Sequence, residues 1–384
     1  MSKSKGLPRY LSFFLAFVML LSTVSCSGEK SQTETAAQVG TPVETSTFVE
    51  ILTVEDSETE PLSTETKEDI PPFVNPLTGL ACTEEVSKNR PLAVMLNNIK
   101  DALPQAGLSG CDIIYEVLAE GGIIRLEGLF QDYQNVPKIG SVRSARPYYV
   151  QIASAYDALF AHVGGSEDGK SEIKRLGVNN LDGLIYDGSV IEGVPAFYRD
   201  QDRLNSGYAY EHTMFTSGAG VSKIVASRGY RSVREDIGFS AFCFDRNFKG
   251  LTGSAASYIK IPHSNYSVSE FYYSADDGLY YHNQYGEAHV DSNNNARVAT
   301  ENVFILFADQ KVIDSYGRLS TNLIGEGTGY YITGGTATPI VWKRPTDGGT
   351  FSYYNPDGTE LKVKCGKSFV SIADNDIANL ITIS

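Results

Sequence analysis

The sequence predicts an α/β or α+β N-terminal domain followed by a smaller, mostly antiparallel β C-terminal domain. Between residues 73 and 238, apolar runs of strand length alternate with stretches of helical spacing, the pattern of layered α/β structure. From about Phe239 the chain becomes a succession of short Tyr-, Val- and Thr-rich runs broken by Asp-Gly, Gly-Glu, Asn-Pro and Gly-Gly pairs, which is hairpin chemistry. Residues 73–384 also exceed what one core usually accommodates, so two domains, 73–238 and 239–384, are expected.

In chain order, MSKSKGLPRY carries Lys3, Lys5 and Arg9 with no acid, and the apolar run LSFFLAFVMLLSTV that follows is too short for a membrane span. Residues 1–25 therefore read as a signal peptide. Its end, Leu21-Ser22-Thr23-Val24-Ser25-Cys26, resembles the lipobox of bacterial lipoproteins, with Thr23 where leucine is preferred. Lipidation at Cys26 is expected, and each buried methylene of the lipid adds about 0.8 kcal/mol of anchoring. Residues 26–72 are dominated by Ser, Thr and Glu, with eleven acids after Cys26 against Lys30 and Lys67. They read as a disordered acidic tether with a root-mean-square reach of roughly 40 Å. The expected location is the outer face of the cytoplasmic membrane. The net charge of −14 argues against nucleic acid and against an anionic lipid surface as partners.

Within the first globular half, RPLAVMLNN reads as a strand ending in two asparagines, Asn97 and Asn98. CDIIYEVLAEGGIIRLEGLFQ is two strand-like runs joined at Glu120-Gly121-Gly122, a hairpin signal. After Pro147, Tyr148, Tyr149, Ile152, Ala153 and Tyr156 recur at helical spacing, and proline suits a helix's first turn. DALFAHVGG reads as a buried strand, and SEDGKSEIKRLG as a helix beginning after the two glycines. Cys82, Cys111, Cys243 and Cys365 form no CxxC pair, so a redox motif or zinc knuckle has little support, and three disulfide pairings stay open. Cys111 and Cys243, in apolar contexts, read equally well as buried free thiols.

NPLTGL, RPLAVMLNN, PQAGLSGCDIIYE, AEGGIIRLEGLF, IGSVRSARP and AHVGGS occur in an order that resembles the YerB-like family of Gram-positive lipoproteins. In the second half, AHVDSNNNARVATENVFIL and GGTATPIVWKRPTDGGTFSYYNPDGTELKVKCGKSFVSI are similar to that family's C-terminal domain. Cys111 stands where alanine is expected, and Phe369 where tryptophan is expected. The resemblance covers residues 75–384 and implies a two-domain, lipid-anchored extracytoplasmic protein. It implies no reaction, because the family is one of unknown function.

The charged residues admit two readings. Glu116, Glu120, Arg125 and Glu127 lie on the hairpin, and strand alternation puts Glu116 and Glu120 on one face, where two carboxylates repel unless cations intervene. Arg125, Arg143 and Arg146 are the available cations. In one reading they form a partly buried structural network with the acids. In the other, Ser141, Arg143, Ser144 and Arg146 lead into the Pro147 helix and accept an anion, helped by free helix N–H groups and guanidinium forks. Gly164 and Gly165 would let a ligand approach a second helix start, with His162 between, and His212 is a further polar candidate in a Tyr-rich segment.

Catalysis has weaker support. Glu116 and Glu120, roughly 7 Å apart along a strand, are weak candidates for a glycosidase pair. Gly164-Gly165-Ser166 only approximates a nucleophile elbow, and no HExxH or other metal-ligand spacing is present. No cofactor or metal is expected; Trp342 reads as a core residue, and the acidic turns as hairpin chemistry rather than calcium loops. The expected role is binding or scaffolding in the cell envelope, through a wall glycan or peptide or a membrane-bound partner. The alternative is a hydrolase of an anionic glycan or phosphodiester.

Overall fold

The computed structural model describes residues 71–384, so the signal peptide, Cys26 and nearly all of the tether lie outside the described residues. An 11-stranded sheet runs through the folded part. At its centre is the strand Ser368–Asp374, which pairs in parallel with Asn302–Ala308 on one side and with Ile113–Leu118 on the other. Strands of 73–238 and strands of 239–384 therefore meet in a single sheet. From Ile113–Leu118 the sheet continues through Ile124–Phe130, Leu92–Leu96, Leu159–His162 and Asn180–Asp182. On the opposite side it continues through Gly325–Thr333 and Thr336–Arg344.

Local chemistry explains these elements. The strands Ile124–Phe130, Asn302–Ala308 and Leu92–Leu96 are buried throughout, as expected of strands covered on both faces; Val303–Ala308 and Leu92–Leu96 are continuous apolar runs, whereas Ile124–Phe130 also carries Arg125 and Glu127. Ile113–Leu118 and Ile124–Phe130 form the expected antiparallel hairpin, turned by Gly121 and Gly122, both at positive φ. The helix Pro147–Ala155 opens on its proline, and the helix Glu167–Leu176 is capped at its start by Ser166 and ended by a left-handed Gly177. Both pack on the sheet face that carries Ala93, Met95, Tyr115 and Leu129.

The other face is covered by a six-stranded antiparallel sheet. Its strand Leu279–Gln284 alternates, with Tyr280, His282 and Gln284 buried and the residues between them half-buried. Ile259, Ile261, Phe271 and Tyr280 of this sheet pack on Ile114, Val303, Ile305 and Phe369. The fold is thus a mixed α/β first half and a mostly antiparallel β second half. Trp342 is a core residue whose Nε1 donates to the Phe307 carbonyl at 3.0 Å. Cys111 is a buried free thiol, whereas Cys82, Cys243 and Cys365 are free and half-buried.

Candidate functional site

Glu116 and Glu120 do not share a face, contrary to the alternation expected of them. The strand ends at Leu118, and Glu120 begins the tight turn Glu120–Gly122, so the side-chain period is broken between the two acids. Glu116 points to the face covered by the six-stranded sheet. There it is wholly buried, facing His263 Nε2 at 3.0 Å and accepting from the Ser269 hydroxyl at 2.6 Å. Burial pushes its carboxyl up, but His263, together with His282 and the Ser269 hydroxyl, offsets this and leaves it below its ordinary value. His263 comes from the second half of the chain, and nothing in the residues around Glu116 announces it.

Glu120 binds two arginines. Arg125 Nη2 and Arg146 Nη2 both donate to its Oε1, and Arg146 Nε donates to Oε2 at 3.0 Å. Remaining guanidinium N–H groups donate to main-chain carbonyls, Arg146 Nη1 to Ala145 at 2.7 Å and Arg125 Nη1 to Ser144 at 3.2 Å. Burial alone would raise the Glu120 carboxyl, but the two guanidiniums hold it at about 2. Arg125 is pulled down by burial and then by its neighbour Arg146. This is the structural network that one reading of the sequence expected, and it locks the hairpin turn to the start of the Pro147 helix.

Arg143 differs. Its main chain is fixed, with its N–H donating to the Met95 carbonyl and its carbonyl accepting from Val163 N–H. Its half-buried guanidinium has no hydrogen-bond or ion-pair partner among the described residues. Burial pulls its pKa down first, and the charge of Arg125 adds to the effect. Glu211 and Glu120 both act on Arg143 without pairing with it, and the three cations outnumber these two carboxylates.

The remaining candidates divide. His212 is buried, its Nδ1 2.8 Å from the Asn97 amide nitrogen, and it is held below its ordinary value by burial and then by the Arg143 charge. It therefore borders Arg143. Ser141 is fully buried with an unpartnered hydroxyl, and the Ser144 carbonyl is taken by Arg125. His162 is buried between the Gly164 carbonyl at 2.7 Å and Asn180 Oδ1 at 2.6 Å, which makes it a bridge between neighbouring strand ends. Gly164 and Gly165 serve chain packing. Gly164 O accepts from Ala145 N–H, and a Cβ on Gly165 would stand 3.2 Å from that of Ala145.

The two helix starts offer less than the sequence suggested. Tyr149 and Val150 N–H both return to the Arg146 carbonyl, and Pro147 has no N–H. At the second helix Gly169 N–H is capped by Ser166, and Glu167 and Asp168 occupy the first turn, where they repel an anion. Glu116 and Glu120, bound in separate networks, cannot flank one glycosidic bond. Among the described residues, no three His, Cys, Asp or Glu are grouped to hold a metal ion.

Comparison with known proteins agrees with this architecture. Residues 77–231 match the family described as "Protein of unknown function (DUF3048) N-terminal domain", and residues 258–370 match its C-terminal domain. A protein of Bacillus subtilis (strain 168) named "Putative lipoprotein YerB" is 29% identical over 309 residues, covering 79% of this chain and 88% of that one. The crystal structure of the YerB protein from Bacillus subtilis superposes with a TM-score of 0.70 at 28% identity, covering 81% of this chain and 99% of that one. The two domain matches span well over half of the chain in the order the fold requires, and the chain belongs to this two-domain, YerB-like family.

Proposed function

We propose that this protein is a lipid-anchored binding or scaffold protein on the outer face of the cytoplasmic membrane, and that it accepts an anionic group of the cell envelope at Arg143. The anchor is supported by the lipobox-like Leu21–Cys26 and by the relative named as a lipoprotein. The binding role rests on one observation, the half-buried Arg143 guanidinium, which makes no hydrogen bond or ion pair among the described residues while Arg125 and Arg146 beside it are already paired. A guanidinium so placed has lost part of its hydration without gaining a partner, and a carboxylate or phosphate restores both charge balance and hydrogen bonds.

The test is retention of the full-length protein on purified wall fragments, with wild type and Arg143→Ala compared at low and high salt. Salt-sensitive retention that Arg143→Ala abolishes, at an unchanged melting temperature, is the expected result. Equal retention of both proteins would remove Arg143 from the site.

A further inference from the structure

A second site lies where the two halves of the chain meet. A groove of about 260 Å³ has the loop residues Lys100, Leu103 and Pro104 on one wall and Glu287 on the other, with Gln284 and His289 at its inner side. Gln284 is 4% exposed, and neither its amide nitrogen nor its amide oxygen has a hydrogen-bond partner among the described residues. Two residues beside it in the groove lining are engaged. His289 sits between His282 Nδ1 and Gln105 Oε1, both at 2.8 Å, and Tyr285 donates its hydroxyl to the Asn98 carbonyl at 2.7 Å. A buried amide with two unmet bonds is costly. With no bond to lose, the Gln284 side chain is free to turn toward the groove.

The chemistry of the lining narrows the occupant. A primary amide offers one acceptor and a donor on the same edge, which matches the N–H and C=O that one residue of an extended peptide presents on one side. Leu103 and Pro104 supply apolar contact. Lys100 and Glu287 are exposed, opposite in charge and without ion-pair partners among the described residues, so they suit a ligand with one negative and one positive end. We propose that this groove binds a short extended peptide of about two residues, its main chain paired with the Gln284 amide, its terminal carboxylate at Lys100 and its amino end at Glu287. This site is independent of the one around Arg143.

The experiment is calorimetric titration of the detergent-solubilised full-length protein with alanyl-alanine, with its C-terminal amide and with N-acetylglucosamine, using wild type, Gln284→Leu and Lys100→Ala. Alanyl-alanine should bind wild type at least tenfold more tightly than it binds Gln284→Leu. Amidation of the ligand should weaken binding to wild type but not to Lys100→Ala. Because leucine removes an unpaired buried amide, Gln284→Leu should melt no lower than wild type, so lost binding will not reflect lost folding. Binding that is absent from wild type, or unchanged in Gln284→Leu, overturns the proposal. Binding of the sugar equal to that of the dipeptide overturns the peptide assignment. A lower melting temperature for Gln284→Leu also counts against it, since that would show the amide to be satisfied inside the fold.

Discussion

Replacing Glu120 with glutamine tests the arginine clamp directly. The Glu120 carboxyl moves from an ordinary value of 4.5 to about 2 on folding. At about 1.4 kcal/mol per pH unit of displacement, the ionised carboxylate contributes about 3 kcal/mol at pH 7. Its side chain is 23% exposed, so the figure needs little reduction for solvent screening. The folded value is the lower one, so this stability is complete above the unfolded carboxyl's range and is lost as pH falls from about 4.5 toward 2. At pH 3 only about 1.4 kcal/mol should remain. In urea at pH 7, Glu120→Gln should unfold at a midpoint roughly 1 M below wild type, for a slope of about 3 kcal/mol per molar. The difference should shrink by more than half at pH 3. Arg143→Ala, which breaks no hydrogen bond or ion pair among the described residues, should stay within about 0.5 kcal/mol of wild type at both pH values. An unshifted Glu120→Gln midpoint, or a shift independent of pH, would refute the clamp.

Two further substitutions probe other buried charges. Glu127 is wholly buried with both carboxyl oxygens unpartnered, and burial drives its pKa well above the ordinary value despite Arg344 nearby. Its cost is absent at pH values below the unfolded carboxyl's range and grows as pH rises toward the folded value, so the stability of Glu127→Gln relative to wild type should increase from pH 4 to pH 7 in paired urea melts. Asp291 is fully buried and accepts from Gly107 N–H at 2.9 Å, from Ser109 N–H at 2.8 Å and from the Ser109 hydroxyl at 2.6 Å. Asp291→Ala strands these donors and should cost about 3 kcal/mol or more in the same assay.

The local elements were legible because they depend on neighbours in sequence. Gly121-Gly122 turned the expected hairpin, and Pro147 opened the expected helix. Partnership across the fold was not legible. Periodicity assigns a side chain to a face but does not name what covers that face, so the match of Glu116 with His263, 147 positions away, had no signal near either residue. The same limit hid the central place of Ser368–Asp374, whose apolar sequence fits any buried strand. The one error of face, Glu116 with Glu120, came from continuing strand alternation past the strand end at Leu118 into the turn that Glu120 begins.

The position of Ser368–Asp374 also fixes how the molecule unfolds. Seven of its residues pair with Asn302–Ala308, and the first five of those also pair with strand partners at Ile113–Val117. Across the same seam run the Asp291 bonds to Gly107 and Ser109 and the contact of Glu116 with His263. Removing the first half would leave one edge of this strand unpaired, and removing the second would take away the strand and the apolar cover of Ile114, so the two halves are expected to unfold together. Trp342, the single tryptophan and a residue of the second half, should therefore report the loss of Glu120 in the first half. Its fluorescence and the far-ultraviolet circular dichroism should trace one coincident urea transition, and Glu120→Gln should move both by the same amount. A tryptophan transition left in place while the dichroism shifts would show that the seam does not couple the halves.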